Sequence, residues 1–231
     1  MRSRYITLTI TTGLLTLAGL QPALASDKEE GTAATLQEHL TISGTIEVEA
    51  SSREAFDGSK EEDISLATAD FGIEAKLVDW AVGTLALTWD DEEDKVTVDE
   101  AYIALGATEK IPASLKAGRF YLPFGVFETA GISDPLTKEA FETREDAVMA
   151  GFEVAGFSGG LYVFNGDTNE GGGEEKIEHF GAHLGYSLEK DDFKLSSQFG
   201  YLSSIIDSDT LGEELDLEAD YVGGIAAQIS A

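Results

Sequence analysis

Apolar and polar residues alternate along most of this chain, in about ten segments separated by breaks. In the first segment, Leu40, Ile42 and Val48 fall on one face of an extended chain, and Thr41 and Glu47 fall on the other. A period of two residues is the signature of a β-strand with one apolar and one polar face. The predicted strands span residues 40–50, 65–78, 81–89, 95–106, 114–121, 148–157, 160–165, 179–188, 193–202 and 219–230.

The connections between these segments also alternate in character. Every second one is short, as at 78–80 and 189–192, and the others are longer, as at 122–147, or strongly acidic, as at 90–94. Short turns on one side and long loops on the other are typical of outer-membrane β-barrels, whose strands are roughly ten residues long. We therefore predict an all-β fold, an antiparallel transmembrane β-barrel of which the chain supplies an incomplete, N-terminal portion of about ten strands. A soluble β-sandwich also shows this alternation and is the alternative fold.

The two ends of the chain have features of their own. Arg2 and Arg4, the apolar stretch Ile6–Leu20 and the small residues of Ala23–Ala25 predict a cleaved secretory signal peptide. At the other end, Gln228–Ala231 does not finish a strand on an aromatic residue, so we expect the chain to be truncated at its C-terminus. The predicted organisation is a signal peptide at 1–25, a short periplasmic lead at 26–39 and the barrel at 40–231.

The composition narrows the classes of function and partner. The chain contains 44 acidic and 15 basic residues, for a formal net charge of −29, and it has no cysteine. A nucleic-acid partner requires a basic surface, so we expect none. The absence of cysteine excludes a small disulfide-stapled scaffold. The expected surroundings are lipid and lipopolysaccharide of the outer membrane of a Gram-negative bacterium.

The longest connection, Leu122–Ala147, is the predicted functional element. It mixes apolar residues such as Phe127 and Phe141 with charged ones, which a purely solvated loop does not need. We expect it to fold into the lumen and narrow it, so that its acidic and basic side chains set the size limit and the charge preference for solutes. An ordinary solvated loop is the alternative. The predicted constriction comprises Lys116, Arg119, Asp134, Glu139, Glu142, Arg144, Glu145 and Asp146.

The same region carries a resemblance to a known family. Ala117–Gly125 reads Ala-Gly-Arg-Phe-Tyr-Leu-Pro-Phe-Gly, and it is followed by Ile-Ser-Asp-Pro-Leu-Thr at Ile132–Thr137 and Glu-Thr-Arg-Glu at Glu142–Glu145. With Asp99–Ile103 just upstream, this pattern resembles the LbtU family of siderophore porins. The resemblance implies an outer-membrane β-barrel that admits ferric siderophores without a plug. Such porins are longer than this chain. The first of these motifs is also similar to phosphate-selective porins, but a phosphate pore requires a basic lining that the acidic chain lacks.

The expected function is therefore passive or facilitated uptake of small polar solutes, of ferric-siderophore type by resemblance. The alternative is a non-conducting outer-membrane barrel that acts as a surface-exposed adhesin or structural protein. Association of copies into a homo-oligomer is left open.

Catalysis, a cofactor and a bound metal are not expected. His179 and His183 are four residues apart on one face of a strand, about 13 Å, which is too far for both to bind one ion. Acidic loops that hold Ca²⁺ or Mg²⁺ are a weaker alternative to solvated loops.

Overall fold

The computed structural model describes residues 6–12, 39–54, 59–90, 94–108, 111–127, 136–166, 177–190, 193–206, 208 and 222–230. Within these ranges the fold is all-β, with strands in one open sheet whose order follows the chain. The strands are β1 Ile6–Thr12, β2 Leu40–Glu54, β3 Lys60–Val78, β4 Ala81–Asp90, β5 Lys95–Thr108, β6 Ile111–Tyr121, β7 Arg144–Val154, β8 Phe157–Asn165, β9 Ile177–Lys190, β10 Phe193–Leu202 and β11 Gly224–Ser230. A short helix, α1, spans Leu136–Phe141.

The prediction of an all-β antiparallel fold is confirmed. Each predicted segment contains one of the strands β2–β11 or overlaps with it, and β10 has the predicted bounds. Strand β1 lies inside the predicted signal peptide and pairs antiparallel with β2; removal of this segment stays a prediction. None of the helical residues in the described ranges belongs to a helix with the length and apolar character needed to cross a membrane.

The chain divides into two compact units, residues 1–77 with 83–101, and residues 78–82 with 102–231. In the first unit, β2 and β3 place Ile42 opposite Ile73. Their register shifts between Glu47 and Val48, where Ala67 of β3 is the extra residue of a β-bulge. The bulge changes the phase of β3, so that Val48 faces Leu66 and the apolar face continues beyond the irregularity. The polar face of the same pair is acidic; it carries Glu47, Glu49, Asp70 and Glu74.

The second unit contains the hairpins from β6 to β11, which pair antiparallel in chain order. Strands β7 and β8 are joined by the two-residue turn Ala155–Gly156, in which both residues have positive φ, 51° and 81°. Positive φ at both central positions is the geometry of a type I′ turn, which matches the twist of the flanking strands. The predicted strands at 148–157 and 160–165 put this turn at Ser158–Gly159, three residues too late, because the Ala-Gly pair contains only one glycine and gives a weak turn signal.

The second unit has two faces of different character. The open face carries large apolar side chains that are exposed, among them Val148, Leu161, Leu184, Phe199 and Ile229. The covered face carries the alternate residues and is packed against other parts of the same chain; Phe120, Tyr162 and Leu202 lie on it and are fully buried. The large apolar side chains of the open face are thus not the ones that form the core.

We expect that Ala155→Gly stabilises the protein by about 1 kcal/mol, because an L-residue pays roughly that amount in the left-handed region and glycine does not. Ala155→Val should lower the free energy of unfolding, because a β-branched side chain is strained at positive φ. Urea unfolding followed by tryptophan fluorescence measures both. Equal stability of the two variants would contradict the type I′ assignment.

Candidate functional site

The chain that leaves β6 turns back over the covered face of the second unit. The backbone N–H of Leu122 donates to the carbonyl of Thr143 at 2.8 Å, and the N–H of Phe124 donates to the carbonyl of Leu122 at 2.8 Å. The second bond closes a γ-turn around Pro123, whose ring fixes φ near the value that this turn needs. We call Leu122–Phe127 the covering segment.

The covering segment contacts the sheet where glycine leaves room for it. A Cβ at Gly200 on β10 would collide with the carbonyl of Phe124, and one at Gly224 on β11 would collide with the side chain of Ile205 and with the ring of Phe124. Phe124 and Leu122 are buried in one cluster with core residues of the covered face. The cluster consists of Phe120, Leu122, Phe124, Ala147, Tyr162, Phe164 and Leu202. Glycine at these two positions therefore lets the chain pack directly on the sheet.

The helix α1 and the residues after β10 are joined by a hydrogen bond. The hydroxyl of Ser208 donates to the carbonyl of Ala140 in α1 at 2.9 Å, and Ser208 is buried. The N–H of Ile205 donates to the carbonyl of Val222 at 2.8 Å, which ties this stretch to the start of β11. Parts of two long connections therefore contact each other beside the covered face.

A single lysine is held between aromatic rings on that face. The Nζ atom of Lys116 lies 3.7 Å from the ring centroid of Tyr102 and 4.2 Å from that of Phe120. An ammonium over the faces of aromatic rings is attracted by their quadrupoles, which stabilises its charge and its position. These contacts fix the position of the Lys116 ammonium on the covered face.

Arg119 and Asp146 lie on the opposite, open face and pair with each other. They are directly opposed in the register of β6 and β7, and Nε and Nη2 of Arg119 donate to the two carboxylate oxygens of Asp146 at 3.0 and 3.2 Å. Their side chains are 44% and 53% exposed, among exposed apolar neighbours such as Leu115 and Val148. This bidentate pair compensates two charges on a largely apolar face, which also carries Arg144 opposite Tyr121.

The other residues of the predicted constriction are divided between the two faces and α1. Glu145 is buried on the covered face, where it opposes Phe120 in the register, and the Nζ atom of Lys116 reaches the ring of Phe120 from four residues away along β6. Arg144 lies 5.9 Å from the ring centroid of Tyr121. Glu142 approaches Lys138 to 4.0 Å. Glu139 belongs to α1, and Asp134 lies outside the described residues.

The structure therefore does not gather the predicted charges into one ring. Lys116 and Glu145 are on the covered face, whereas Arg119 and Asp146 are on the other. The element that meets the covered face is the uncharged covering segment. Of the polar groups there, sequence reasoning missed Gln198 and Gln228, for which no local motif exists.

His179 and His183 share one face, as their spacing predicted, and it is the covered face. His179 is buried and stacks on Phe164, with ring centroids 5.3 Å apart. His183 is next to Gly160, where a Cβ would come within 2.8 Å of the imidazole. Within the part of the chain that the structure describes, no three histidine or acidic side chains are placed to hold a metal ion.

The chain is similar to proteins of two bacteria. It is 26% identical over 178 residues to a "UPF0422 protein" of Coxiella burnetii (strain RSA 493), which covers 73% of this chain and 38% of the relative. It is 25% identical over 183 residues to "UPF0422 protein lpg2959" of Legionella pneumophila (strain Philadelphia 1), with 73% and 34% covered. The matched region thus spans about a third of the length of these curated relatives. No protein-family model and no solved structure matches the chain.

We predict that Gly200→Leu displaces the covering segment, because the new side chain occupies the position of the Phe124 carbonyl. Trypsin should then cleave at Lys138, in the same connection, at least several-fold faster. The matched control is Ala227→Leu on the open face of β11, which should leave the cleavage rate unchanged. Unchanged cleavage of the Gly200 variant would contradict the packing described above.

Proposed function

We propose that the protein is part of an outer-membrane porin that lets small polar solutes diffuse through a water-filled lumen. The observation that carries this proposal is the open face of the second unit. It presents large apolar side chains outward from consecutive strands, with Leu161, Ile225 and Ile229 exposed at 70%, 69% and 78%. Soluble proteins rarely leave so continuous an apolar surface in water.

Hydrocarbon is the environment that this surface fits. A transmembrane β-strand turns its apolar residues to lipid and the alternate residues to the lumen, and its backbone is satisfied by its neighbours in the sheet. The covered face supplies the second half of that arrangement. Towards the Ala155–Gly156 turn and the connection between β9 and β10, its positions on β8–β10 are occupied by small or polar residues, such as Ser158, Gly185, Ser196 and Gln198, whereas Tyr162, Phe164 and Leu202 form the core at the other end. The open face would then contact lipid and the covered face would contact water.

The covering segment would narrow this lumen from one side. It is held by backbone hydrogen bonds and by aromatic packing, so it would be a fixed constriction. Lys116, between Tyr102 and Phe120, would place a positive charge in the same passage. The resemblance to LbtU-type porins favours ferric chelates as solutes, and the names of the similar proteins state no solute.

A non-conducting surface protein is the second candidate, and one observation favours it. The covering segment buries part of the covered face, including Phe120 and Leu202, beside residues that would line a lumen. If the rest of the passage is filled in the same way, the barrel would display its loops without conducting. Conductance separates the two candidates.

In planar bilayers, the full-length protein should give stepwise ion currents. Replacing Lys116 with glutamate should raise the cation-to-anion permeability ratio severalfold, because it reverses a charge in the lumen. The matched control exchanges the open-face pair, Arg119→Asp with Asp146→Arg, and should leave the ratio unchanged. Absence of current from correctly inserted protein would reject the porin and favour the display protein.

The environment of the open face can be tested by the strength of the Arg119–Asp146 pair. A double-mutant cycle with alanine measures their coupling free energy. A half-exposed pair in water is worth roughly 0.2–1 kcal/mol, whereas an unpaired arginine in the lipid-facing part of a barrel costs up to about 2–4 kcal/mol. We expect a coupling above about 1 kcal/mol in lipid vesicles. A value near zero would place the pair in water and count against a lipid-facing surface.

A further inference from the structure

Two adjoining cavities on the second unit meet at a pair of glutamines. Gln198 of β10 and Gln228 of β11 are directly opposed in the register and lie on the same face as Gly200 and Ala226. One cavity has a volume of about 200 Å³ and the other about 230 Å³. Both are lined by Gln198, Gln228 and Val126 of the covering segment. The two glutamines therefore form the boundary between two small hollows.

The first cavity is rich in hydroxyl groups. Serines from four strands line it, and the Oγ atoms of Ser196 and Ser230 are 2.7 Å apart, a hydrogen bond that either hydroxyl can donate. Serine hydroxyls and glutamine amides both donate and accept hydrogen bonds. The serines whose positions lie on the covered face are Ser158, Ser187, Ser196 and Ser230.

The second cavity has an aromatic wall. Phe124 and Phe127 of the covering segment line it together with Thr137 of α1. Phe124 is fixed by its burial in the core cluster, so this wall is held in place. Neither cavity has a charged side chain among the described residues that line it.

We propose that these cavities bind uncharged, hydroxyl-rich ring compounds, that is, a short oligosaccharide. Hydroxyl groups of such a ligand match groups that both donate and accept, and the apolar faces of its rings match phenylalanine. A charged solute would find no counter-charge here to replace its hydration. Each cavity is smaller than the roughly 300–1,000 Å³ of sites for drug-sized ligands, so each suits one sugar ring. This inference rests on the proposed function, since it places the ligand in the passage.

The test uses the full-length protein in planar bilayers, with maltotriose as probe. Maltotriose should block the ion current reversibly and in proportion to its occupancy, whereas citrate, an anionic hydroxy acid, should block much more weakly. The variant Gln198→Leu with Gln228→Leu should raise the half-blocking concentration of maltotriose at least about tenfold, because two hydrogen-bonding side chains are lost. The control Phe199→Leu, on the open face of the same strand, should leave the half-blocking concentration of maltotriose unchanged.

If the double variant does not insert, Gln228→Ala alone is used, because Gln228 is exposed at the surface of β11; it should raise the half-blocking concentration severalfold. Current without any maltotriose block would overturn this inference and leave the porin intact. Equal block in the unaltered protein and in the glutamine variants would also overturn it. Absence of all current would instead reject the proposed function.

Discussion

The structure depends on one constraint, the strict alternation of side chains across a β-sheet. Because neighbouring residues point to opposite faces, a strand that places Leu161 and Val163 on one face must place Tyr162 and Phe164 on the other. In the second unit, this constraint divides the large aromatic and aliphatic residues into two sets, one on each face of the sheet. Those of the open face are exposed, and those of the covered face pack against the chain's own covering segment. A single sheet can thus have a lipid-compatible surface and a packed, partly polar interior face.

Glycine makes the close packing on the covered face possible. The chain packs on Gly200 and Gly224 so closely that a side chain would meet Phe124 at both positions and Ile205 as well at Gly224. Across β8 and β9, the ring of Tyr162 occupies the space above Gly181, and its hydroxyl reaches the carbonyl of Tyr201 at 3.3 Å. Small residues at alternate positions therefore do not weaken the covered face. They make room for large rings and for a second layer of chain, and this packing holds the covering segment in position.

The alternation also explains which features could be predicted from the sequence. The strands could, because most of them repeat the period-two pattern over many residues; only at 95–106 and 114–121 do charged residues such as Glu100 and Arg119 fall on the apolar face. The faces of the charged residues could be predicted in the same way. Lys116 and Arg119 are three positions apart, so a regular strand must place them on opposite faces. Contacts between distant parts of the chain could not be predicted, because nothing local connects Phe124 with Gly200. The bulge at Ala67 could not be predicted either, because one extra residue shifts the alternation of the strand without changing the types of residue in it.

The net charge of −29 is a poor guide to the face that would line a lumen. In the first unit the polar face of β2 and β3 is acidic. In the second unit the described positions of the covered face on β6–β11 are nearly balanced, with Lys116 and Lys194 against Glu145, Glu153 and Glu189. Lys194 and Glu189 are paired at 2.7 Å. Beside the covering segment, the lining is made of serine and glutamine. Selection by charge alone would need an unbalanced lining, so in this part of the protein hydrogen bonding and shape are the stronger basis for selecting a solute.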